Sequence, residues 1–184
     1  MVTLIYINLN TIFQGGIFMN QLVLRNLSYG VYVVSTVDGD RPTGCTANSA
    51  MQITSSPATV AVSINHDNYT NSCIEKSGKF AISILSVNSN PQIIGKFGFF
   101  SGKDVNKFDD FDYEMVDGVP VLKDCCGYLT FNVINKMETS THTIFVGEMT
   151  DGDIRNEDIP MTYSYYHKVI KGTSPKNAPT YIAE

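Results

Sequence analysis

Residues 44–65 read GCTANSAMQITSSPATVAVSIN. Two apolar runs of strand character are joined there by Ser55-Ser56-Pro57, and a step of short side chains, Thr46-Ala47-Asn48-Ser49, is set into the first. A strand that only builds core carries β-branched or aromatic residues at such a step. Short hydroxyl and amide groups instead leave the backbone open to a ligand and still offer donors and acceptors. Five residues past Asn65, Thr70-Asn71-Ser72 opens a helical pattern. A helix start presents unpaired N–H groups and the positive end of its dipole, which suit a phosphate. Two strands that grip a flat polar ligand, followed by a helix that holds its phosphate, make a mononucleotide site.

On either side of this stretch the pattern is mostly strands. Residues 31–37 are a β-branched run, and Asp38-Gly39-Asp40 is a hairpin signal that returns the chain antiparallel over 43–53. A strand is expected over 59–65, a helix over 70–76 ended by Gly78, and a further strand over 79–85. Asn90 with Pro91 behind it is a cap-and-first-position pair for a helix to Phe97. Residues 99–112 read as a loop, 120–137 as one long strand, 142–151 as its hairpin partner, and 161–169 as a last strand. A short helix is expected over 21–27. The pattern predicts a mainly β fold, an antiparallel barrel with a few short helices.

Composition bounds the rest. A chain of 184 residues with 43% apolar and 17% charged residues suits one globular domain with a real core. A net charge of −5 with no basic cluster argues against nucleic acid as a partner. The cysteines, Cys45, Cys73, Cys125 and Cys126, form no C-x-x-C pair, so an iron or zinc site lacks its ligand set. They read as small buried thiols in a reducing cytoplasm. Residues 1–18 carry no Lys, Arg or cleavage site for secretion, and their apolar run is too short and too polar to span a bilayer. Gln14-Gly15-Gly16 reads like a translated ribosome-binding site, so the expected start is Met19, with 1–18 a leader and 19–184 the domain.

Several segments keep one order along the chain: Asn26-Leu27-Ser28-Tyr29-Gly30-Val31-Tyr32, the Thr46-Ala47-Asn48-Ser49 step, Gly95-Lys96-Phe97-Gly98, and Lys107-Phe108. Thr141-His142-Thr143-Ile144-Phe145-Val146-Gly147-Glu148, Tyr165-Tyr166-His167 and Lys171-Gly172-Thr173-Ser174-Pro175 follow. On these the chain resembles the FMN-binding split-barrel flavin reductases, among them the flavin reductase modules of high-molecular-weight rubredoxins and the archaeal ferric reductase. The resemblance implies a split barrel, bound FMN, NADH or NADPH as hydride donor, and a homodimer. It also implies onward transfer to free flavin, ferric complexes or a redox protein such as rubredoxin.

By resemblance, Cys45, Thr46, Ala47, Asn48 and Ser49 hold the flavin ring and its polar edge, and Ser63, Ile64 and Asn65 cover the ribityl chain. Thr70 matches the family's phosphate-binding Thr, with Asn71 assisting, and Lys107 matches a basic residue that reaches the same phosphate. Where several relatives have a basic residue after Phe-Gly, this chain has Phe99-Phe100-Ser101-Gly102-Lys103. Phe100 cannot pair with phosphate, which leaves the charge to Lys103 and Lys107 and polar backbone to Ser101 and Gly102. His142 matches a residue beside the flavin that receives the nicotinamide nucleotide, a positioning role since hydride passes directly between stacked rings. Tyr166, with Tyr163 and His167, is a candidate for packing on the ring, and Lys168, Lys171 and Ser174 for a dinucleotide phosphate. Two alternatives stay open: a split-barrel reductase using a deazaflavin donor, and a module that carries FMN without turnover. No G-x-G-x-x-G, P-loop, H-E-x-x-H or G-x-S-x-G motif is present.

Overall fold

A computed structural model describes residues 13–14, 17–18 and 20–181 of the chain. The leader expected at 1–18 therefore lies mostly outside the described residues. Within it, β1 (Phe13–Gln14) and β2 (Ile17–Phe18) pair with each other, and a 3-10 turn follows at Gln21–Asn26. The β-branched run forms β3 (Tyr32–Asp38), turns at Gly39 with φ 61°, and returns as β4 (Arg41–Ala47). β5 (Ala50–Ser55) and β6 (Ala58–Asn65) make the next hairpin. Helix α1 (Tyr69–Ser77) stops at Gly78, where a left-handed φ of 68° lets its N–H reach the Ile74 carbonyl. β7 (Lys79–Ile84) follows, then α2 (Pro91–Phe99), whose cap Asn90 accepts from the Gln92 N–H at 3.0 Å. β8 (Tyr113–Val116), β9 (Val119–Leu122), β10 (Gly127–Glu138) and β11 (His142–Ile154) complete the strands.

The strand expected over 43–53 is two strands. The main sheet runs β4-β3-β7-β10-β11-β6-β5, so β4 and β5 are its opposite edges, yet only Asn48 and Ser49 separate them in the chain. The three Cα steps from Ala47 to Ala50 span at most about 11 Å. The sheet must therefore curl until its edges nearly meet, which is a barrel split along one seam. Ser49 extends the β5–β6 ladder by one pair: its hydroxyl donates to the Ser63 carbonyl at 2.7 Å, and the Ser63 N–H reaches the Ser49 carbonyl at 3.4 Å.

Inside the curl, Val34, Val62, Ile82, Phe80, Phe131 and Phe145 are fully buried, with Phe80 and Phe131 stacked at 4.7 Å. Burying each such side chain contributes about 1.5–3 kcal/mol. Gly147 makes room for that stack: a Cβ there would stand 2.6 Å from Phe131 and 2.7 Å from Phe80. A second cluster, with Ile93, Phe97, Phe108 and Met161, packs α2 onto the outer side of β3 and β4.

Two further expectations change. Residues 120–137 are β9 and β10, interrupted where Cys125 and Cys126 turn inward as free thiols; Cys126 N–H donates to the Ile84 carbonyl at 2.9 Å. β9 pairs instead with the unforeseen β8 through Asp117 and Gly118, both at positive φ. The strand expected over 161–169 is instead helical from Tyr163, α3 (Tyr163–Tyr165) running into a π turn at Tyr166–Ile170. Thr162 caps it by accepting from the Tyr165 N–H at 3.1 Å, and the 163, 166, 167 spacing gathers three rings on one side. Aromatic and β-branched content suggested a strand, but a helix lets these rings pack on one another and against the second cluster.

Candidate functional site

The helix after β6 begins without a side-chain cap. Asn68 stands at the N-cap position of α1 but makes no cap hydrogen bond, because its Oδ1 accepts from the Asn177 amide at 3.1 Å. The first N–H groups of the nine-residue helix thus keep their electropositive character. Asn68, Tyr69 and Thr70 border a cavity of 240 Å³. Cys45, Thr46, Ala47 and Asn48 form its floor, Ser63, Ile64 and Asn65 one side, and Phe100, Ser101, Gly102, Lys107 and Tyr166 the other.

Each wall has a local cause. Thr46 donates to the Ile94 carbonyl at 3.3 Å, which ties the floor to α2. Asn48 is 5% exposed; its amide donates to Thr180 at 3.0 Å while its Oδ1 is buried with no partner among the described residues. An unpaired buried carbonyl costs about 1–3 kcal/mol, so it calls for a donor from within the cavity. Lys107 is 3% exposed and donates to the carbonyls of Gly44 at 2.8 Å and Phe97 at 2.9 Å. An ammonium has three protons, which leaves one for an acceptor in the cavity. Burial draws the Lys107 pKa down, and burial likewise pushes the Cys45 thiol up, so Cys45 is an uncharged wall. Gly102 is required: a Cβ there would lie 2.2 Å from the Thr43 hydroxyl. Phe100 sits 56% exposed at the rim.

Three of the expected site residues do not line the cavity. Ser49 is spent on pairing with Ser63 of β6. Asn71 is buried behind the wall, its amide donating to the Ile64 carbonyl at 2.9 Å and to Thr143 at 3.0 Å. It braces β6 against β11 rather than facing a ligand. His142 begins β11 and pairs in register with Asn65, one strand away from the cavity wall. Its Nδ1 meets the Thr141 hydroxyl at 2.8 Å, and its Nε2 is buried without a partner among the described residues. Burial lowers its pKa, against a smaller upward pull from the Asn177 backbone, so the neutral imidazole is favoured.

The tail, which carries no helix or strand pattern in the sequence, also belongs to the site: Thr173, Ser174, Pro175, Asn177, Ala178 and Pro179 return over the cavity as a wall. Its polar residues Asn177 and Thr180 were the available signal, but their partners, Asn68 and Asn48, are more than a hundred residues distant. Tyr163, a lining residue through its helix, anchors the tail by bonding Ser174 and, at 2.8 Å, Thr180. Lys168 and Lys171 are exposed and not in the lining. Among the described residues no group of side chains could hold a metal ion, and no helix is long and apolar enough to cross a membrane.

Residues 24–174 match the model of the flavin reductase like domain. The chain is 41% identical to the high molecular weight rubredoxin of Moorella thermoacetica, covering 89% of this chain and 72% of that one. It is 34% identical to the ferric-chelate reductase (NAD(P)H) of Archaeoglobus fulgidus, covering 85% and 94%. Among solved structures, the NADH:FAD oxidoreductase SgcE6 of Streptomyces globisporus superposes with a TM-score of 0.71 at 25% identity, over 76% of this chain and 83% of that one.

Proposed function

Because this chain belongs to the flavin reductase like domain family, we propose that it is an NAD(P)H:flavin oxidoreductase whose resident flavin is FMN. The observation that carries the proposal is the donor and acceptor set around one cavity: the unpartnered Asn48 Oδ1 at its floor, and the uncapped start of α1 with Lys107 at its end. A flat heterocycle with an N–H edge answers the first, and a phosphate answers the second. The flavin supplies hydride acceptance at N5 and release of electrons one at a time.

The protein's own residues then bind and orient. Asn48 and the exposed backbone of the 45–48 floor meet the pyrimidine edge. Ser63 and Asn65 offer hydroxyl and amide to the ribityl chain, and Thr70, the first turn of α1, Ser101, Gly102 and Lys107 hold the phosphate. FMN rather than FAD is supported by Lys107, a buried ammonium with one proton unspent, which suits a terminal phosphate. His142, neutral and with a free Nε2, lies where a nicotinamide carboxamide can approach beside Asn65. A neutral imidazole orients that group without changing charge during transfer.

The register supports a homodimer. Met51, Ala61 and Val146 are paired across β5, β6 and β11, and Met137 and Ile144 are paired across β10 and β11. Cross-strand partners share a face, so an apolar row with Met51 63% and Met137 58% exposed runs up to Ser63 at the cavity. A second copy covering it would also shield the flavin. Electrons then pass to free flavin, a ferric complex or a redox protein such as rubredoxin.

Anaerobic mixing of FMN-loaded protein with NADH or NADPH tests the reading. Bleaching of the flavin absorbance within a turnover is expected. Protein that takes up no FMN sinks it, and protein that stays yellow with both donors is a carrier. A His142→Ala variant is expected to keep FMN and to lose most of its nicotinamide-driven reduction.

A further inference from the structure

The cavity is too small for the ligand that its walls suit. Sites for cofactors and small molecules occupy roughly 300–1,000 Å³, and this one holds 240 Å³. One of its walls is the tail, residues 173–175 and 177–179, and no side chain of 173–180 is fully buried. The tail is held by polar contacts at both ends. At one end Thr180 accepts from the Asn48 amide at 3.0 Å and donates to the Tyr163 hydroxyl at 2.8 Å. At the other, the Tyr163 and Ser174 hydroxyls bond each other and the Tyr166 hydroxyl donates to the Thr173 carbonyl at 3.1 Å; between the two ends Asn177 donates to Asn68 at 3.1 Å, and the N-cap side chain of α1 makes no bond to its own helix. The Asn177 backbone also lies against His142. Asn48, Asn68 and the His142 flank are all places where a nucleotide would be recognised, and the closed tail touches each of them.

We propose that residues 173–180 form a latched strap that occupies the nucleotide cavity when no ligand is bound and must release, at the Asn48–Thr180 and Asn68–Asn177 contacts, for a flavin nucleotide to enter. Entry of the ligand frees Asn48 to bond it and leaves Asn68 able to cap α1. The hinge is built in: Lys171 adopts a left-handed φ of 61°, and Gly172 packs directly on the Tyr166 ring, where any side chain would collide. The chain is therefore fixed up to Gly172 and held only by hydrogen bonds beyond it. The identity of the ligand rests on the flavin reading; the latch itself does not.

Trypsin reads the latch on the full-length, ligand-free protein, because the Lys176–Asn177 bond lies in the middle of the strap and a protease needs it extended. Thr180→Val and Asn177→Ala, acting at separate contacts, are each expected to speed cleavage at that bond about five- to tenfold, the factor one net hydrogen bond commands. Stopped-flow binding of FMN is expected to accelerate by a similar factor in both variants. Cleavage at equal rates in the wild type and both variants overturns the latch. Faster cleavage with an unchanged FMN association rate overturns its role as a gate. Faster cleavage in proteins that bind no FMN at all upholds the latch and removes the flavin reading instead.

Discussion

Lys107 donates from Nζ to the Gly44 carbonyl at 2.8 Å, so a buried cation from the loop after α2 is fastened to the middle of β4. The same ammonium reaches the Phe97 carbonyl and lies 5.9 Å from the Phe97 ring centre. A charge so placed is costly unless it serves something, since burial draws its pKa down with no carboxylate beside it.

A Lys107→Met variant is accordingly expected to bind FMN about 10- to 100-fold more weakly, the loss of one charge-assisted contact to a phosphate. Riboflavin, which lacks the phosphate, serves as the control. Its affinity is expected to change little, and flavin fluorescence titrations of both ligands check the difference.

His142 links stability to pH. Its folded pKa lies below the ordinary value of 6.5 because burial disfavours the imidazolium. As pH falls through about 6.5 the unfolded chain takes up this proton first, so stability drops until the folded pKa is passed. Urea midpoints measured from pH 7.5 to 5 are expected to fall more steeply for the wild type than for His142→Gln. Parallel curves would refute the assignment.

Gly147 is a packing requirement of the barrel interior. In Gly147→Ala the new methyl meets the Phe131 Cβ and the Phe80 ring, neither of which can rotate aside cheaply within their stack. A loss of about 1–3 kcal/mol is expected, read as a lowered urea midpoint with an unchanged slope.

Asn90 caps α2 through Gln92 and also receives support from Asp124, whose carboxylate accepts the Asn90 N–H at 2.9 Å. Asn90→Ala removes only the first of these. It is expected to cost about 1 kcal/mol, measured by thermal unfolding, with flavin binding retained because the cap lies outside the cavity lining.

Features set by neighbours along the chain are legible in the sequence itself. The Gly78 stop, the Asn90-Pro91 start and the Asp38-Gly39-Asp40 turn are each decided within a few residues by backbone sterics and capping. The small-residue step at 46–49, the strand at 59–65 and the helix start near Thr70 likewise mark the floor, side and end of the cavity. What sequence alone determined was thus a mostly antiparallel chain with one unusually open strand leading to a helix N-terminus.

Only the tertiary structure decided the remainder, because each piece depends on a partner far away in sequence. The 43–53 run parts into two edge strands since the curled sheet brings β6 to Ser49 and β3 to Ala47. The 161–169 run becomes helical from Tyr163 since its rings find the second core cluster. Asn71 ends behind the wall, bonded to Thr143, whereas His142 stands beside Asn65 at its margin, because β11 lies against β6. The tail closes the cavity because Asn48, just after β4, and Asn68, just before α1, both bond residues 177–180. Hydrogen-bond partners across more than a hundred residues leave no periodic trace, so no local pattern could have revealed them.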